Sequence, residues 1–197
     1  MPVQDRKITT ADIIPDAAFG KVRKERRQAL LPLKKLRRIE VGPVATFYFE
    51  SFDTMLMQVQ EMLFIEKGGA PQIDDELQAY NPLVPQGSEL VATVMFEIDD
   101  PIRRLDILTR LGGVEHAMFI GVDGERIKGV PTDDVERTTE DGKTSSVHFM
   151  KFPFTDAQKA KMRDPAAQIV VGVDHEHYAH MAVLSPASRA ELAKDFA

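Results

Sequence analysis

The chain has 197 residues, of which 43% are hydrophobic and 28% charged, the proportions of a folded soluble domain large enough to bury a core without cross-links. It contains no cysteine, which excludes a disulfide framework, a thiol nucleophile and any cysteine-ligated zinc or iron–sulfur centre. The net charge of −6 conceals an asymmetry: residues 21–38 carry nine Lys and Arg against Glu25 alone, while residues 39–197 carry 27 acids against 14 cations.

In chain order, residues 1–20 form a polar segment broken by Pro2 and Pro15. It lacks the apolar run of a secretory signal, and no stretch approaches the length of a membrane span. The expected compartment is the cytoplasm, and residues 21–197 are expected to form one α+β domain. The basic stretch 21–38 reads as a helix, with Val22, Ala29, Leu33 and Leu36 on one side and Arg23, Arg27, Lys34 and Arg38 along another line. Pro32 should kink this helix or start a second. Residues 39–50 alternate as a strand with a bend at Gly42-Pro43, and 53–66 form a helix capped by Ser51 or Asp53 and ended by Gly68-Gly69. A short helix over 73–79 leads into a loop over 80–87. A strand then covers 90–98, and Asp100-Pro101 opens a helix to Leu111. Strands follow over 114–122 and 125–130, joined by a hairpin at Asp123-Gly124. The acidic run Asp133, Asp134, Glu136, Glu140 and Asp141 reads as a solvated loop. The remainder comprises a strand over 145–154, a Thr155-capped helix to Arg163, paired strands over 168–174 and 180–184, and a final helix from Ser185-Pro186. The predicted architecture is α+β, a mostly antiparallel sheet of about six strands with helices packed on it.

Diagnostic active-site motifs are absent. Gly142-Lys143-Thr144 fails as a phosphate loop because Arg137 stands where the motif needs glycine, and neither a GxGxxG nor a GxSxG string occurs. The cluster His175, His177 and His180, beside Asp174 and Glu176, offers imidazole ligands for a metal ion. Ala179 breaks the zinc-protease spacing, and a polar hairpin tip is the plainer reading. Two strands end alike in Phe49-Glu50 and Phe96-Glu97, and Thr54, Gln58 and Glu61 share a polar line on the intervening helix. If they met, Glu50, Glu61 and Glu97 could bind a cation or act as an acid–base pair. The basic helix suits an acidic protein partner, or pairing with the acidic remainder of its own molecule or of a dimer mate. Nucleic acid is disfavoured because the rest of the surface would repel a polyanion.

The strings Arg37-Arg38-Ile39-Glu40-Val41-Gly42-Pro43, Gln58-Val59-Gln60-Glu61-Met62-Leu63, Glu76-Leu77-Gln78-Ala79-Tyr80-Asn81-Pro82-Leu83-Val84-Pro85 and Glu89-Leu90-Val91-Ala92-Thr93 resemble the bacterial domain-of-unknown-function 3501 family. That resemblance implies a cytoplasmic protein working beside rubrerythrin-like or iron–sulfur redox proteins. It fits a non-catalytic binding or accessory component with no resident cofactor. Arg37 and Arg38 would then supply anion contacts, while Gln58, Glu61, Tyr80 and Asn81 form a polar pocket floor. The alternative is a small enzyme using His175 and His177, or Glu61 with Glu50 or Glu97.

Overall fold

The computed structural model describes residues 6–132, 138–139 and 142–197, so the acidic run at 133–141 lies largely outside it, its five acids included. Helix α1 (Asp16–Arg37) runs unbroken through Pro32. Proline removes one backbone donor and leaves the Gln28 carbonyl without its usual partner. Both residues are exposed, so water satisfies that carbonyl and the helix continues.

Gly42 and Pro43 divide the next stretch into a hairpin, β1 (Arg38–Val41) and β2 (Ala45–Phe49). Gly42 has φ +71°, and a Cβ there would stand 2.7 Å from the Tyr178 hydroxyl, so conformation and space both require glycine. Helix α2 (Phe52–Glu66) starts at a reciprocal cap. The Thr54 N–H donates to Ser51 Oγ at 3.3 Å and the Ser51 N–H to Thr54 Oγ1 at 2.8 Å. Ser51→Ala is expected to cost about 1 kcal/mol, read as a lower urea midpoint at unchanged m value. The helix ends on Lys67, which itself adopts the left-handed conformation, one residue before the glycines.

Helix α3 (Ala70–Tyr80), longer than the pattern suggests, passes through a single 3-10 turn at Asn81–Leu83 before β3 (Glu89–Phe96). Asp100 caps α4 (Pro101–Arg110). Val114–Ala117 forms a 3-10 turn rather than strand, then β4 (Met118–Val122) and β5 (Glu125–Lys128) make the expected hairpin. Two residues on, β6 (Val130–Pro131) pairs with β7 (Val147–Pro153) instead. The remaining elements are α5 (Asp156–Arg163), β8 (Ile169–His175), β9 (Tyr178–Val183) and α6 (Pro186–Leu192).

The strands form two antiparallel sheets, ordered β1-β2-β3-β7-β6 and β5-β4-β8-β9, where the sequence suggested one. Gly129 permits the crossing between them: a Cβ there would lie 2.9 Å from both Met150 Cε and Phe152 Cε1. The inward faces meet in a common core, with Phe47, Val94 and Phe152 from the first sheet and Ile120 and Val171 from the second. On the other face of the first sheet, Val91 lies in a separate core with Met55, Val59 and Leu63 of α2, and Phe149 packs against it. The class is α+β as expected, layered as helices, sheet, sheet. No helix among the described residues is long and apolar enough to cross a membrane.

Candidate functional site

Antiparallel register aligns Tyr48, Thr93 and Phe149 in one row across β2, β3 and β7. Side chains of a row share a face, here the face that α2 only partly covers. The last turn of α1, the first turns of α2, and Tyr80 close the remainder into a cavity of about 610 Å³. Its wall is mostly apolar, from Leu31, Met55, Leu83, Met95, Val147 and Phe149, and it also takes in Arg37, Arg38, Glu50, Gln58 and Tyr80.

Glu50, just past β2, is 8% exposed. Its carboxyl lies between two hydroxyls, Thr54 Oγ1 at 2.6 Å and Thr93 Oγ1 at 2.7 Å. Burial pushes its pKa up; the threonine hydrogen bonds and the charges of Lys34 and Arg37 oppose this without cancelling it. The folded protein therefore keeps a proton on Glu50 at pH values where the unfolded chain has released it. Its contribution to stability is complete below the ordinary value of 4.5 and is lost as pH rises through the folded value. Glu50→Gln keeps the shape without the charge. It should remove that part of the pH dependence, so that denaturation midpoints above neutrality equal or exceed wild type.

The adjacent arginines diverge. Arg37 is 2% exposed; it donates to the carbonyls of Phe49 (3.0 Å) and Glu50 (2.7 Å) and pairs with Glu191 (3.3 Å) and Asp195. Arg38 leaves on the opposite side of β1, pairs with Glu40 and Glu97, and lies over the Tyr48 ring at 5.7 Å. Both guanidinium groups are thus engaged by protein carboxylates.

The polar quartet expected to line one floor is divided. Gln58 and Tyr80 meet across the cavity, Nε2 to hydroxyl, at 3.5 Å. Glu61, one turn further along α2, accepts a forked contact from Arg23 with bonds of 2.7–3.0 Å, and this joins α1 to α2 beside a separate groove. The Arg23 guanidinium pulls the Glu61 pKa down. Asn81 instead holds the N-terminal segment, accepting from the Ile8 N–H (2.7 Å) and donating to its carbonyl (3.0 Å).

The three carboxylates do not converge either. Because β2 and β3 are antiparallel, Glu50 and Glu97 sit beyond opposite ends of the pair, Glu97 level with Val44, roughly 20 Å apart at ~3.4 Å per residue. Glu97 accepts from Thr46 (2.6 Å) and Tyr48 (2.6 Å). Burial raises its pKa, but these bonds and Arg38 outweigh that and leave it lowered.

The histidines lie on the β8–β9 hairpin, outside the cavity lining. His175 Nε2 is 3.2 Å from the Gly112 carbonyl, and its Nδ1 accepts from the His177 N–H at 3.2 Å. His180 packs edge-on to Tyr178, ring centres 4.6 Å apart. Among the described residues, no group of three or more His, Asp or Glu side chains is placed to hold a metal ion.

The cavity also contains Lys34, Lys35, Thr54 and Thr93, which sequence reasoning did not select as site residues. The available signals were the i, i+4 spacing of Lys34 to Arg38 and of Thr54 to Gln58.

The sequence matches the model of the family described as protein of unknown function (DUF3501) over residues 7–196. The chain belongs to the DUF3501 family. This DUF3501 protein is also similar to a crystal structure of a protein of unknown function from Burkholderia pseudomallei K96243. The TM-score is 0.89 and the identity 36%, over 97% of this chain and 100% of that one. No curated protein matches it.

Proposed function

We propose that this DUF3501 protein is a cytoplasmic, non-catalytic binding component that takes a small organic ligand into the cavity between α1, α2 and the five-stranded sheet. The observation that carries the reading is the placement of one buried carboxyl, Glu50, beside the Gln58–Tyr80 pair in a mostly apolar cavity of about 610 Å³. A few convergent polar groups in an apolar pocket of that volume are the usual composition of a small-molecule site. The protein, equilibrated with a small-molecule cell extract and transferred to native mass spectrometry, should retain a ligand mass. Met95→Trp, which sets a bulky ring into the apolar wall of the cavity, should lose it. A wild-type protein that retains nothing, or a variant that retains the same mass, refutes the reading.

A second reading, a small carboxylate-dependent enzyme, is favoured by the placement of Glu50, a buried carboxyl lining the cavity between two hydroxyls, since such a group can serve in acid–base chemistry. It predicts that Glu50→Gln abolishes conversion of the retained compound without abolishing its binding.

The accessory role beside a redox enzyme rests on the resemblance and on the exposed cations of α1, Lys21, Lys24, Arg26 and Arg27, which suit an acidic partner. Pull-down from native extract should recover a redox protein at low salt and lose it at high salt. Recovery of none at low salt counts against it. A homodimer joined through oppositely charged patches belongs to the same proposal, and sedimentation at varied salt tests it.

A further inference from the structure

The cavity lining contains four cations and one acid, but their availability differs. Arg37 is buried against Glu191 and Asp195, and Arg38 is held by Glu40 and Glu97. Lys34 and Lys35, one turn earlier on α1, are exposed and have no carboxylate partner among the described residues. They are the two positive charges on this wall held in no ion pair with a protein carboxylate, although the Lys34 charge is also felt by Glu50 and by Glu61 in the neighbouring groove. Lys34 also lines the neighbouring α1–α2 groove, which places it where the cavity opens.

The charges that oppose them are weak. Every titratable group lining the cavity can be named: Lys34, Lys35 and Arg37 from α1, Arg38 from β1, Tyr48 from β2, Glu50 after it, and Tyr80 at the end of α3. Glu50 alone is acidic, its oxygens are taken by Thr54 and Thr93, and burial favours its neutral form. An aromatic face could attract an ammonium group, but the Tyr48 ring is already covered by Arg38. Met55, Met95, Val147 and Phe149 of the same lining offer no charge. Gln58 and Tyr80 complete the lining, with the Gln58 side-chain carbonyl and the Tyr80 hydroxyl proton facing no other protein partner among the described residues.

We propose that the cavity selects an amphipathic organic anion, with a carboxylate or phosphate held by Lys34 and Lys35 and an apolar chain or ring lying along Met55, Met95 and Phe149. This rests on the cavity being a ligand site and assigns the class of ligand. The positive mouth orients the molecule with its charged end outward, where water still reaches the head group and the two ammonium groups need not be desolvated. The apolar body supplies the affinity by leaving water.

The test uses the full chain and four probes sharing one hydrocarbon tail, decanoate, decyl phosphate, decanol and decylammonium, measured by isothermal titration at low salt. Decanoate or decyl phosphate should bind with one-to-one stoichiometry and at least tenfold more tightly than decylammonium; the tighter of the two identifies the head group. The exposed pair changed together, Lys34→Gln with Lys35→Gln, should weaken the anion about tenfold and leave decanol unchanged. Met95→Trp should abolish binding of both. Decylammonium binding as tightly as decanoate, or a lysine variant with unchanged anion affinity, overturns the assignment of ligand class while the cavity remains a site. Failure of all four probes to bind overturns the ligand class, while the mass retained in native mass spectrometry decides the cavity reading separately. Anion binding that survives Met95→Trp overturns the location.

Discussion

Arg37→Met should destabilise the protein by about 3–5 kcal/mol, more than any other single change considered. The guanidinium lies at 2% exposure with two carboxylates and two carbonyls around it. Removing it leaves Asp195 buried beside an apolar side chain and leaves Glu191 with Lys194 (2.6 Å) as its remaining cation. Lysine cannot substitute, because one ammonium cannot reach both carbonyls and both acids in the planar arrangement that arginine uses. The loss should depend on pH. Burial pushes Asp195 up to about 6, against the pull of Arg37 and with a further push from Glu191. A carboxyl raised in the folded state adds stability that is complete below its unfolded value of 3.8 and is lost as pH rises to about 6. With Arg37 gone the opposing pull disappears and the carboxyl rises further, so the deficit of the variant grows with pH. Urea midpoints at pH 5 and pH 8 measure this. A deficit below 1 kcal/mol, or one equal at the two pH values, contradicts the account.

Tyr178→Phe should be the next most damaging change, at about 3 kcal/mol. The Tyr178 hydroxyl accepts from the N–H groups of Val44 (3.1 Å) and Ala45 (2.9 Å) and donates to the Val41 carbonyl at 2.6 Å. One atom from the second sheet thereby completes the turn of the β1–β2 hairpin in the first. Phenylalanine fills the same space and leaves two buried donors unsatisfied, each costing about 1–3 kcal/mol. Hydrogen exchange should locate the effect, with Val44 and Ala45 amides losing protection in the variant while β3 amides keep theirs. Unchanged protection at these two positions would refute the role given to the hydroxyl.

Signals confined to a few neighbouring residues were legible in the sequence. Ser51, Asp100, Thr155 and Ser185 each cap a helix, and Gly42-Pro43 and Asp123-Gly124 each turn the chain. The division into two sheets was not legible, because it depends on which strand β6 joins after Gly129, and that is settled by Met150 and Phe152, about twenty residues away. The site was legible in part for the same reason. Glu50, Arg37, Arg38, Gln58 and Tyr80 line one cavity. Glu61 and Asn81 belong to the same polar strings, but a turn of helix carries the first to Arg23 and a 3-10 turn carries the second to Ile8. Glu50 and Glu97 look equivalent as strand ends until antiparallel pairing sends them to opposite ends of the sheet. Arg37 and Arg38 look like one doublet until a helix-to-strand junction points one inward and the other out.

The carboxylates that hold Arg37 come 154 and 158 residues later in the chain. A ribosome adding 5–20 residues per second needs on the order of ten to thirty seconds to produce them. Throughout that interval the arginine has no buried counter-ion and is held in water by its own hydration. The carbonyls of Phe49 and Glu50 that also accept from Arg37 are made early, so it is the charge pairing at the foot of α1, not its every contact, that waits for the C-terminal residues. A chain that stops before Glu191 therefore leaves Arg37 without either of its buried carboxylate partners.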